Sequence, residues 1–456
     1  MANTGKHLCA SRSGPGKAPF STPRLPLYKS RECRRSSLSV LPFSVNLQQA
    51  HLAIAASLQQ PRNNIKMPPA SSSMGHANDA MDGERLSNES ILSGEWSSNE
   101  DILNEYGYDP ASMKRRAEKS MAHVRELYDE GKPLFTREMI EDTQRQIDEI
   151  KSGEPPSMTT LSVIGMDGKR HENLWATIVH DNEVSDVPVM SFHHIQSLTE
   201  PTSDEPEHWP NRLTPITVNS CSRSNPYSEE AKDITAAQVA AGWDSCIEDF
   251  SRTETWRMLQ AIFNGASAAP RLDIDKIVGF GLGNLTVGSM PHEDPWERTS
   301  GMQHALLVSL ADLLEKQAGR PVRRIVQEPI YLDTCKEALR ARGVEIAEPE
   351  TGFLLVDERT LVITVSCNVP VRQIVADLAR PAGMIWNRVE PEERRFSRGS
   401  VIDEDGELIE PYTTDEASSR VRDLVKGYTE HQLPEEDDEW FNDVAVYIRQ
   451  EMEELV

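Results

Sequence analysis

Apolar residues recur at helical spacing from Pro110 to about Gly131 (Met121, Val124, Leu127) and from Thr136 to Lys151 (Met139, Ile140, Ile147, Ile150). The spacing predicts two charged, amphipathic helices, the second starting at Thr136. The β-rich segments Thr159 to Ile164 and Leu174 to Val179 flank Met166-Asp167-Gly168-Lys169 and predict a hairpin turning at Asp167-Gly168. Pro201, Pro206, Pro210 and Pro215 then predict a loop-rich connection to about Asn225. Helical spacing returns with Val239, Trp243, Cys246, Ile247 and Phe250 on one face, and Trp256, Leu259, Ile262 and Phe263 continue it after Ser251.

From Lys276 the pattern alternates between strand and helix, the signature of a parallel sheet with crossover helices. The strands expected are Lys276 to Phe280, Arg324 to Gln327, Val344 to Ala347, Phe353 to Val356, Leu361 to Ser366 and, last, Met384 to Trp386. A long helix is expected from near Ser300, where Ser300 and Gln303 have capping-box spacing, to Gly319-Arg320-Pro321. Shorter helices follow at about Leu332 to Arg342 and, after Pro370, at Val371 to Leu378. Past Asn387 the chain turns acidic, and Trp440, Val444, Tyr447, Ile448 and Met452 predict an amphipathic helix within Glu435 to Glu454.

The fold class expected is α/β, a Rossmann-like parallel or mixed sheet with flanking helices. Ahead of it stand a disordered tail (1–101) and a helical and hairpin extension (102–225). The α/β domain itself is expected over 226–390, and an acidic carboxyl-terminal region over 391–456.

Composition narrows the function classes. Only 38% of the 456 residues are hydrophobic and the mean hydropathy is −0.52, consistent with one sizeable core and long disordered parts. Residues 1–66 hold ten Lys/Arg against Glu32, a local charge of +9 in a chain of −25, so the remainder carries −34. A body this acidic repels phosphate backbones, which argues against nucleic-acid binding. The six cysteines are scattered with no CxxC pair, which fits a reduced compartment, cytoplasmic or nuclear. The basic, Ser-rich start also has the composition of a mitochondrial transit peptide, although Pro15, Pro19, Pro23 and Pro26 break any early helix. No apolar run reaches membrane-spanning length.

Three positions carry candidate chemistry. Gly279-Phe280-Gly281-Leu282-Gly283-Asn284 closes the first strand as a glycine turn able to cradle a nucleotide or an S-adenosyl compound. Against a phosphate loop, Leu285 to Thr299 separates these glycines from the long helix. Glu328 ends the second strand, where an acid accepts bonds from ribose hydroxyls, but it lies 47 residues from Gly281 rather than about 20. Cys367 ends a later strand with no His nearby in sequence, which favours an inert, buried thiol. His180 and His193-His194 do not make a metal set, because neighbours on a strand point to opposite faces.

Phe280-Gly281-Leu282-Gly283-Asn284, Val326-Gln327-Glu328-Pro329, Arg342-Gly343-Val344 and Ser366-Cys367 together resemble the sensitivity-to-red-light-reduced (SRR-type) domain family over about residues 236–390. The amino-terminal extension resembles fungal members. The resemblance implies a regulatory role, in circadian and light signalling or in haem-biosynthesis, cytoskeletal or proteasome-related control, without an established reaction. The family usually has Asp-Pro at Glu328-Pro329 and a His-Cys-Pro-like end at Ser366-Cys367-Asn368. Loss of that His speaks against thiol chemistry or metal or haem ligation at Cys367.

Three functions stay open at this level. One is a regulatory domain sensing a nucleotide-like ligand through Gly279, Gly281, Gly283, Asn284, Glu328 and Cys367. Another is an S-adenosylmethionine-dependent methyltransferase-like enzyme, although Val278 stands where such enzymes carry an acid. The third is an adaptor whose acidic carboxyl-terminal helix docks protein partners.

Overall fold

The computed structural model describes residues 110–450, apart from 154–157, 177–178, 181–182, 185, 201–211, 223–230, 265–272, 291–297, 349, 391–400, 403–407, 410–414, 435–437 and 442. The tail expected over 1–101, with its basic start, lies outside the described residues, as do Pro201, Pro206 and Pro210.

Both leading helices form, α1 at Pro110–Asp129 and α2 at Arg137–Ser152, and the Thr136 side chain caps α2 by accepting from the Met139 amide. The first hairpin pairs β1 (Met158–Ile164) with β2 (Arg170–Ala176), so its second strand starts earlier than Leu174. Gly168, at φ +72°, sits in the turn between them. The expected loop-rich connection is a second antiparallel hairpin, β3 (Asp186–Phe192) with β4 (Ile216–Ser222). Of the four prolines only Pro215 is described, directly before β4, and the pairing joins segments too far apart for local pattern to link. Helices α3 (Ala236–Phe250) and α4 (Glu254–Asn264) follow, α3 carrying a reciprocal capping box between Thr235 and Gln238.

A seven-stranded sheet organises the rest. In chain order its strands are β5 (Lys276–Phe280), β6 (Arg323–Gln327), β7 (Val344–Ile346), β8 (Thr360–Thr364), β9 (Gly383–Asn387), β10 (Tyr428–Gln432) and β11 (Val444–Arg449). Across the sheet they stand as β10-β11-β9-β8-β5-β6-β7. β5 to β9 run parallel, while β11 is antiparallel to both β9 and β10. Between them lie α5 (Leu285–Gly288), α6 (Thr299–Ala318), α7 (Asp333–Ala341), α8 (Val371–Leu378) and α9 (Ser419–Val425).

Three expectations are overturned here. The carboxyl-terminal segment is not an amphipathic helix: after a single turn at Asp438–Phe441, Val444 to Ile448 enter the sheet as β11 and are buried on both faces. A continuous apolar run of this length fits a doubly covered strand as well as a helix face, and its β-branched and aromatic residues favour the strand. The sheet thus runs past residue 390. Phe353 to Val356 is no strand but part of a 3₁₀ turn, Thr351–Leu355, because the Gly352 amide bonds Gln327 Oε1 (2.8 Å) and Phe353 stacks on Phe280 (4.5 Å between centroids). Ser300 and Gln303 form no capping box. Arg298 takes the cap position without a side-chain bond, and Gln303 instead donates to the Trp440 carbonyl (3.1 Å).

The sheet is covered on both sides. Helices α3, α4, α6 and α7 bury one face, with Trp243, Leu306, Leu310, Ile277 and Ile363 at its centre. The amino-terminal extension covers the other together with α8 and α9, bringing Phe135, Ile140 and Trp175 into one cluster with Val278, Val362 and Trp386. Polar anchors fix it there. Asp377 Oδ2 accepts the amides of Leu134 (2.6 Å) and Phe135 (2.9 Å), and Arg137 donates to the carbonyls of Leu354 and Val356. No helix among the described residues is long and apolar enough to cross a membrane.

Candidate functional site

The crossovers from β5 and β8 leave toward opposite faces, α6 on one side and α8 on the other, so the carboxyl ends of these adjacent strands form a topological switch point. The glycine turn lies there. Gly281 (φ +62°) and Gly283 (φ +78°) take left-handed conformations that favour glycine. The Gly281 amide donates to the Gln327 carbonyl (3.1 Å), extending the β5–β6 ladder by one bond.

Each glycine also meets a protein neighbour. A Cβ on Gly279 would stand 2.7 Å from Leu307 Cδ1, so this buried residue serves the seat of α6 on the strand. On Gly281 it would overlap Cys367 Sγ, and on Gly283 it would come within 3.2 Å of Ser300 Oγ. Close backbone approach at this turn is therefore used by the fold itself. Gly281 and Gly283 remain partly exposed.

Glu328 reaches back to the turn across the β5–β6 edge. Its Oε2 accepts the Gly283 amide (2.9 Å) and its Oε1 the Ile330 amide (3.2 Å). Burial pushes its pKa up while the two N–H donors hold it down, the burial effect being the larger. Asn284 locks the same edge from below. Its Oδ1 accepts the Thr286 amide (2.9 Å) and that of Val287, starting α5, and its Nδ2 donates to the Ile330 carbonyl (2.9 Å). A helical turn thus follows the glycines directly, where the sequence reading expects only an insertion.

Cys367 packs on Gly281 from the end of β8. Burial pushes its thiol up to about 12, so it is protonated at neutral pH and unreactive as a nucleophile. Beside it, Ser366 (φ +49°) is held by Asn387, whose Oδ1 accepts the Ser366 amide (2.7 Å). Next along the edge is a buried ion pair, Arg372 Nε to Asp415 Oδ2 (3.3 Å), and burial raises Asp415 to about 6 despite the guanidinium.

Beneath the turn lies a polar layer that sequence reasoning missed. His304 Nδ1 stands 2.6 Å from the Ser300 carbonyl, which can only accept. Nδ1 therefore carries the proton, and the Tyr331 hydroxyl donates to Nε2 at 2.6 Å. Burial holds His304 at about 4, hence neutral at physiological pH, and raises Tyr331 well above its usual range. Thr286 Oγ1 touches both Thr334 Oγ1 and Cys335 Sγ (2.8 Å each). No short motif links these residues, and His304 reads in sequence only as an interruption of an apolar helix face.

The two adjacent histidines do not change the picture. His193 is partly buried, bonded to Thr217 (2.9 Å) and held at about 4 chiefly by desolvation, and His194 caps the helix Ile195–Thr199. Among the described residues no group of three His, Cys, Asp or Glu is placed to hold a metal ion. Two surface hollows, one along α2 beside Leu354 and one on α1, lie away from the glycine turn.

Residues 256–448, from α4 to β11, match the SRR1 domain family. No curated protein and no solved structure matches the chain.

Proposed function

We propose, from the match of residues 256–448 to the SRR1 domain family, that the protein is regulatory and that its α/β domain senses a nucleoside-like or nucleotide-like small molecule at the Gly281–Glu328 edge. The family suggests regulation in general, and its resemblance points to circadian, stress or haem-related control. The observation that carries the ligand reading is Glu328: a half-buried carboxylate at the end of β6, joined to the glycine turn at the switch point, where open α/β sheets bind ligands. Basic protein partners are placed by this reading at the acidic stretches Asp403-Glu404-Asp405 and Glu435 to Glu439, not at the Val444–Ile448 run. Thermal shift of the full chain against nucleosides, nucleotides and S-adenosyl compounds tests the ligand. A folded protein stabilised by none of them refutes it.

A second reading has its own support. Numbered along the chain, the sheet order is 3-2-1-4-5-7-6 with the seventh strand reversed, and its first strand ends in a glycine turn similar to that of S-adenosylmethionine-dependent methyltransferases. Wiring is a fold-level analogy and does not carry activity by itself. Buried Val278 stands where those enzymes place an acid, and Cys367 and His304 are poor nucleophile and base in their present surroundings. Methyl transfer that disappears with Gly281→Arg would establish this reading over simple sensing.

A further inference from the structure

A phosphate loop works by aiming unpaired backbone N–H groups at an anion. In this turn the amides of Gly281, Gly283, Thr286 and Val287 are all taken by protein acceptors, namely the Gln327 carbonyl, Glu328 and Asn284 Oδ1. The acceptor on Gly283 is a Glu328 carboxyl oxygen, so this amide is already engaged by the protein. Among the described residues no cation contributes to the field at Glu328, whose pKa responds to burial and to two backbone amides. The Arg298 guanidinium, at the start of α6, bonds Asp249 (2.9 Å) and Cys246 (3.3 Å).

A phosphate seeking the Gly283 amide would have to displace a carboxylate or lie against it. A carboxylate has about four lone-pair sites, and two are used here, so Glu328 keeps room to accept hydroxyl donors. We propose that the Gly281–Glu328 edge selects a phosphate-free nucleoside, presenting its ribose hydroxyls to Glu328, and excludes ligands that place a phosphate at the turn. This selectivity rests on the ligand-sensing reading above and narrows it to compounds such as adenosine or S-adenosylhomocysteine.

Calorimetric titration of the full chain with adenosine, S-adenosylhomocysteine, AMP and ADP tests the selectivity. The expected result is that the phosphate-free pair binds and that AMP and ADP bind about tenfold more weakly or worse. Glu328→Gln should bring the two classes toward equal affinity. Asp333→Asn removes the same charge from a fully exposed side chain and should leave the ratio unchanged. AMP binding as tightly as adenosine to the unaltered protein overturns the selectivity but leaves sensing standing. Discrimination that survives Glu328→Gln also overturns it, and a folded protein that binds neither class removes both.

Discussion

Gly281 offers a direct measure of how tightly the turn is built. Alanine in the left-handed region costs about 1–2 kcal/mol, and forcing a methyl into filled space adds about 1–3 kcal/mol. Gly319, at the end of α6, separates these terms, because its φ of +65° matches the +62° of Gly281 while an added Cβ there meets nothing within 4 Å. Gly319→Ala should therefore lose about 1–2 kcal/mol, and Gly281→Ala, facing Cys367, about 2–5 kcal/mol. Urea unfolding followed by fluorescence of the buried Trp175, Trp243 and Trp386 reads the difference. Cys367→Ala in the Gly281→Ala background should restore part of the loss. It removes Sγ but leaves Cys367 Cβ 3.0 Å from the new methyl, and a double-mutant cycle should show coupling of about 1–2 kcal/mol. A Gly281→Ala no worse than Gly319→Ala, or a cycle with no coupling, would refute the packing described for the turn.

Asp377→Ala strips the acceptor from two backbone amides and from Arg420. It should cost about 2–4 kcal/mol and expose the Leu134–Phe135 segment to proteolysis, and unchanged resistance to limited digestion would count against that anchor. Cys367, partly buried and with its thiol pushed up to about 12, should resist maleimide at pH 7.5 until the protein is unfolded, and rapid native labelling, read by peptide mass, would contradict that raised pKa. His304 is held at about 4 when folded, so as pH falls from about 6.5 to 4 the unfolded chain gains a proton that the native state does not. Up to about 3 kcal/mol of stability should be lost over that window. His193 acts in the same sense, while Glu350 (about 7) and Asp415 (about 6) favour the folded state as they protonate. The informative quantity is thus the difference between the wild-type and His304→Gln pH profiles, and parallel profiles would exclude the assignment.

Local signals in the chain were sufficient for much of this architecture. The run ending in Gly281 is a strand because its apolar residues are bounded by a glycine turn, Thr136 caps its helix through a bond three residues away, and α6 stops where Gly319 takes a left-handed turn. Such features depend on near neighbours, which the sequence displays directly. Gly279, Gly281, Gly283, Asn284, Glu328 and Cys367 were legible as candidates for the same reason, each sitting at or near the end of a recognisable strand.

Their partners were not legible. Glu328 bonds an amide 45 residues away, Tyr331 bonds a histidine 27 residues away, and the Cys367 thiol fills the space beside Gly281. Which strand stands beside which decides those meetings, and no period in the sequence encodes it. The same holds for Val444 to Ile448, whose spacing suits a helix face until β9 and β10 offer hydrogen bonds on both sides. The sequence by itself determined most of the elements between Lys276 and Leu378 and the chemistry available at their ends. Only tertiary structure decided that the glycine turn is braced by Cys367 and already occupied by a carboxylate, because those contacts exist only once distant strands lie side by side.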